Sequence, residues 1–103
     1  MALKTTRYDT ADYLDSPEAI AAYIDAVFED GDPALVVHAL GVVARARGMT
    51  DVARESGLSR ESLYRALGSG GNPEFATVVR VLKALGLRLS AVPAETANRA
   101  PSR

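Results

Sequence analysis

Met49 to Leu67 reads MTDVARESGLSRESLYRAL, and the spacing of its small and apolar residues decides the fold. It predicts a helix-turn-helix over 49–67: two short helices crossing steeply through a tight turn of three or four residues. Ala53 supplies the small residue where the second helix crosses the first. Gly57 supplies a turn residue that tolerates positive φ. Val52, Leu58 and Leu63 point inward and hold the pair together. Thr50 and Ser59 are each placed to cap a helix with a side-chain oxygen.

That spacing also assigns faces. With Leu58, Leu63 and Leu67 inward, the outward row of the second helix is Arg60, Glu61, Ser62, Tyr64 and Arg65, with Ser59 at its start. The first residues of a recognition helix approach base edges in the major groove of DNA. Arg60 suits bidentate donation to guanine, and Glu61 suits a cytosine amine or the orientation of an arginine. Arg65 has the length to reach bases or phosphate, and Tyr64 can touch backbone or a thymine methyl. Thr50 and Asp51 fall near the phosphate backbone, where Asp51 is a poor neighbour unless it pairs with an arginine. The DNA-binding set is therefore Thr50, Ser59, Arg60, Glu61, Ser62, Tyr64 and Arg65. The plainer alternative is a solvated face on a small bundle, since helix surfaces carry such residues routinely.

The charge distribution weighs against that alternative. The net charge of −1 hides a division. Met1–Ala44 holds two basic and eight acidic residues, a net of −6, and Arg45–Arg103 holds ten basic and five acidic, a net of +5. The local potential near a phosphate governs binding more than the total. One half is suited to an anion, and the other to a different task.

Outward from the motif the chain reads as helices. Pro33 to about Arg47 follows an Asp32 cap and carries Leu35, Val36, Val37, Leu40, Val42 and Val43. A helix apolar on most sides is largely buried, so this one is expected at the centre. Its His38 reads as a packed or rim side chain without companions for a metal. Arg45 and Arg47 suit the negative end of the helix dipole, and Gly48 ends the helix. Before it, SPEAIAAYIDAVFEDGD has Ser16 as cap, Pro17 at the first position, and Ile20, Tyr23, Ile24, Val27 and Phe28 along one face. After the motif, GSGGNPE reads as a loop, with Asn72 capping and Pro73 starting a helix. Phe75, Val78, Val79, Leu82 and Leu85 form its inward stripe, and Val81 lies off it as a second contact surface. LRLSAV, 87–92, alternates like a short strand that needs a partner. Residues 1–15 read as an extended arm with a helical turn near Thr10–Leu14, and 94–103 as a flexible tail.

The expected architecture is all-α, about five helices in a single domain over 1–93, with a helical N-terminal extension and that short C-terminal strand. No cysteine is present, so disulfides and thiolate metal sites are excluded. No stretch has the form of a signal peptide or a membrane span. GSGG follows a helix and lacks a Gly-Lys-Ser/Thr ending, so it is no phosphate loop. Glu29, Asp30 and Asp32 are explained by solvation and capping. No active site or cofactor site is read here.

GMTDVARESGLSRESLYRALGSGGNPEFATVVRVLKALGLRLSAVP resembles the Xre-type (lambda-repressor-like) helix-turn-helix domain. Together with DTADYLDSPEAIAAYIDAVFEDGDPALVVHALGVVARARGM it resembles the HigA-like antitoxins, the addiction module antidote branch, over Tyr8–Pro93. ESLYRAL followed by GNPEF and VLKALGL is the most specific part. The resemblance implies a cytoplasmic, non-enzymatic antitoxin that neutralises a RelE/HigB-like mRNA-cleaving toxin by direct binding. It also implies a homodimer that represses its own operon on double-stranded operator DNA. A basic toxin would favour the acidic half and DNA the basic half. The family pattern places a glutamine-like residue where this chain has Asp51, which puts that backbone contact in doubt. The alternatives are a stand-alone Xre-type repressor without a toxin, and a pure interaction protein.

Overall fold

The computed structural model describes residues 14–94, so the predicted turn near Thr10 and nearly all of the predicted tail lie outside the described residues. Five helices follow in order: α1 (Pro17–Asp30), α2 (Pro33–Arg47), α3 (Met49–Ser56), α4 (Arg60–Leu67) and α5 (Phe75–Ala84). The all-α expectation holds among the described residues, and no helix is long and apolar enough to cross a membrane.

The caps that start and stop the first two helices are those the sequence places there. Ser16 Oγ accepts from the Ala19 N–H at 3.1 Å, and Asp32 Oδ1 accepts from the Ala34 N–H at 2.9 Å. Each satisfies an amide that the helix itself leaves unpaired. Gly31 closes α1 in the left-handed region. α1 and α2 then pack against each other as a hairpin.

Every helix contributes a side chain with under 2% exposure to one core: Ile20, Leu40, Val43, Val52, Leu63 and Val81, joined by Leu85 just after α5. Burying each such side chain contributes about 1.5–3 kcal/mol. α2 is the central element for its second half only. Ala39, Leu40, Gly41, Val43 and Ala44 are buried, whereas Leu35 in the first turn is 46% exposed. The sequence reading buried too much of α2, because its apolar residues outnumber the neighbours available to cover them. Gly41, to which that reading gave no role, lets α2 approach the end of α4 closely. A Cβ there would lie 2.9 Å from the Leu67 carbonyl oxygen.

The turn between α3 and α4 is built as the motif demands. Gly57 takes φ 80°, and its N–H reaches the carbonyls of Ala53 and Arg54. The Leu58 N–H bonds Ala53 O at 3.1 Å, completing a Schellman-type closure. Ser56 is buried, but its hydroxyl donates to Ala53 O at 3.1 Å and is satisfied. Gly57→Ala meets no steric neighbour, so its cost comes from φ alone. That cost is expected at about 1–2 kcal/mol, read as a lower urea midpoint with an unchanged slope. An unchanged midpoint would show that the turn is not held left-handed in solution.

Three sequence expectations change beyond the motif. α5 starts at Phe75 with Glu74 in the cap position, so Asn72 and Pro73 do not start it. The preceding loop folds tightly onto the end of α4: the Gly71 N–H bonds Gly68 O, and a Cβ on Gly71 would collide with the Ala66 carbonyl. The chain becomes helical only after clearing that contact. The stripe of α5 is also rotated. Val81 is fully buried, whereas Phe75 is 71% exposed. Val78, Leu82 and Leu85 serve either stripe, and packing against α3 selects the Val81 flank. Finally, Leu87–Val92 forms no strand among the described residues. A strand needs a neighbouring backbone, and none is offered. Leu87 instead ends α5, its N–H bonding Leu82 O at 2.8 Å while its side chain packs on the core.

Candidate nucleic-acid interface

α3 and α4 are joined by Gly57, Leu58 and Ser59, an arrangement compatible with a helix-turn-helix-like domain. Leu58 is partly buried, and Leu63 and Leu67 are fully so, which fixes the face that α4 turns outward. Arg60, Glu61, Tyr64 and Arg65 are exposed, and Ser62 is half-buried. Ser59 caps α4 as expected: its Oγ accepts from the Ser62 N–H at 3.0 Å and donates to Ser62 Oγ at 2.9 Å. The two hydroxyls therefore form one unit at the start of the helix. Thr50 does not cap. α3 begins at Met49 with Gly48 before it and no side-chain cap, so Thr50 is an exposed residue of the first turn. The sequence reading set the helix boundary too late, and Gly48 leaves the first amides of α3 without a side-chain acceptor.

The predicted residues do not all converge. Thr50, Arg60 and Tyr64 line one notch of about 400 Å³, with Asp51 and Arg45 beside them. Ser59, Glu61, Ser62 and Arg65 lie outside it along α4. Arg60 is held over Tyr64. Its guanidinium carbon lies 5.6 Å from the ring centroid, and Nη2 donates to the Tyr64 hydroxyl at 3.4 Å. A cation over an exposed ring gains about 0.5–1 kcal/mol, enough to bias the arginine's rotamers without fixing it. Tyr64 thus acts first as a support for Arg60. Asp51 pairs with Arg54 at 2.9 Å, the kind of partner that the sequence expectation asks for. Both side chains are more than half exposed, so the pair neutralises Asp51 locally and adds little stability.

Arg45 is the residue that sequence reasoning missed. The sequence suggests only a dipole partner at the end of α2, yet Arg45 borders the notch that Arg60 lines, while its guanidinium nitrogens fold back along α2 to 3.3 and 3.5 Å from where a Cβ on Gly41 would stand. The available signal was its place four residues before the motif, on the last turn of a helix that must pack against the pair. The notch combines the Arg60 guanidinium, a phenol, a threonine hydroxyl and the uncapped start of α3, with the Arg45 side chain along its edge. That set offers donors to an anionic oxygen, and Asp51 is its one carboxylate. A helix start favours anions as well.

A family model described as "Probable addiction module antidote protein" matches residues 4–93. An uncharacterised protein of Haemophilus influenzae is 47% identical over 81 residues, covering 79% of this chain and 84% of the relative. No solved structure matches the chain.

Proposed function

The chain belongs to the "Probable addiction module antidote protein" family, and from that premise we propose that it is the antitoxin of a type II toxin–antitoxin pair. An antidote implies a toxin. The toxin proposed is a basic, RelE/HigB-like mRNA-cleaving protein, neutralised by direct binding in the cytoplasm without any enzymatic step by the antitoxin. The same chain, as a homodimer of Xre type, binds its operator through α4 and represses the operon. The observation that carries the DNA reading is the notch in which Arg60 stands beside the uncapped start of α3, with Arg45 at its edge. The charge division supports two separate partners, because a face suited to phosphate does not suit a cationic protein.

The test is co-purification of the full chain, tagged at its C-terminus, from its own host, followed by a mobility-shift assay on the DNA upstream of its gene. The expected result is a near-equal amount of the small basic protein encoded next door, and a retarded complex whose affinity falls steeply with salt. A lone chain that still shifts upstream DNA supports a stand-alone repressor. A chain that takes up the neighbour yet ignores all DNA at low salt supports a pure interaction protein.

A further inference from the structure

α1 and the Leu87–Val92 segment enclose a groove of about 380 Å³ whose floor is apolar, with Leu82 and Leu87 at its base. Its lips are apolar and open to solvent: Phe28 is 40% exposed, Leu89 37% and Val92 79%. Phe28 was expected in the core, and its exposure is what opens the groove. The core-facing flank of α1 buries Ile20 and Ile24, and Ile24 also lines the groove, so the groove runs along the edge of the core with Asp25 and Phe28 exposed at its rim.

Charge on that face narrows the occupant. α1 carries Glu18, Asp25, Glu29 and Asp30 and no lysine or arginine. Asp25 lines the groove itself, and Glu18 and Glu29 lie on the same side of α1, seven residues before it and four after. Neither ion pair among the described residues involves an α1 carboxylate. Arg88 is the one cation in the lining. An apolar floor beside a row of carboxylates without an ion-pair partner among the described residues fits a helix with one apolar stripe flanked by lysine or arginine.

We propose that this groove seats a cationic amphipathic helix of the toxin, a proposal that rests on the antitoxin reading above. The groove and the DNA notch share no lining residue. Toxin and operator therefore have separate seats on this chain.

Calorimetric titration of the purified product of the adjacent reading frame into the full chain, Asp25→Arg, Phe28→Glu and Arg60→Ala tests this. Both groove positions are exposed, so their melting temperatures are expected to match the full chain's. Asp25→Arg and Phe28→Glu are each expected to weaken toxin binding at least about tenfold while leaving operator affinity unchanged. Arg60→Ala is expected to do the reverse. The Asp25→Arg loss shrinks at high salt, whereas the Phe28→Glu loss persists. In the unmutated complex, the methyl resonances of Leu87, Leu89 and Val92 are expected to shift on toxin binding. Toxin binding that is unaffected by both groove variants, or methyl groups that stay still, overturns the groove and leaves the antitoxin reading intact. Groove variants that convert a dimeric chain to monomers in sedimentation, with toxin affinity per chain retained, show that a second copy fills the groove and overturn the proposal. If the neighbour's product does not bind the full chain at all, both readings fall together.

Discussion

Replacing Leu63 by Ala is expected to lower the unfolding free energy by about 2–5 kcal/mol, and to abolish operator binding near the melting point of the variant. Leu63 has no exposed surface and sits mid-way along α4, which packs against both α2 and α3. α4 has only eight residues, too few to be helical alone in water. Its helicity is therefore borrowed from that contact, and the outward row exists only while Leu63 is docked. A domain of this kind has on the order of 5–15 kcal/mol in total, so the loss is a large share. Urea unfolding followed by circular dichroism measures it, with Glu61→Ala, an exposed neighbour, expected within about 0.5 kcal/mol of the unmutated chain. A Leu63→Ala loss below about 1 kcal/mol would mean that α4 is not seated as described.

The helices were legible because their signals are local. Ser16–Pro17 and Asp32–Pro33 each place a short acceptor and a preset φ at adjacent positions, which needs no tertiary knowledge. Ser59 and Gly57 belong to the same class, and both take the expected roles. What failed was rotation and coverage. α5 has apolar residues on either flank of Val78 and Leu82, so only the position of α3 determines which flank is inside. Leu35 and Phe28 are apolar but only partly covered, and apolar residues are often exposed without breaking any rule. LRLSAV alternates like a strand, yet alternation cannot supply the second backbone that a ladder requires.

In the candidate interface, the outward row was legible because three leucines leave only one exposed face. Its internal wiring was not. The Arg60–Tyr64 contact is an i,i+4 pair that any helix permits, and it takes the structure to show the guanidinium laid over the ring. Arg45 belongs to another helix, so its arrival at the notch depends on how closely α2 approaches α4, which Gly41 permits.

The double variant Arg45→Ala, Arg60→Ala is expected to reduce operator affinity on the order of a hundredfold at about 0.15 M salt, more than either single change. The two arginines do different work. Arg60 leads α4 and is supported by Tyr64, and the proposed role for it is a base contact. Its loss alone is expected to cost about 1–2 kcal/mol, and to relax preference at one base pair. Arg45 borders the notch near the start of α3, and the proposed role for it, once its side chain extends from Gly41, is a phosphate contact. Its loss is expected to weaken all sequences alike and to reduce the salt slope by about one ion. Because both line one notch, their effects are not expected to add. Fluorescence anisotropy on the upstream DNA, and on a scrambled duplex at several salt concentrations, separates these roles. If both single variants and the double keep full affinity and slope, the notch does not face nucleic acid. The row on α4 is then a solvated surface, and only the protein-binding half of the function survives.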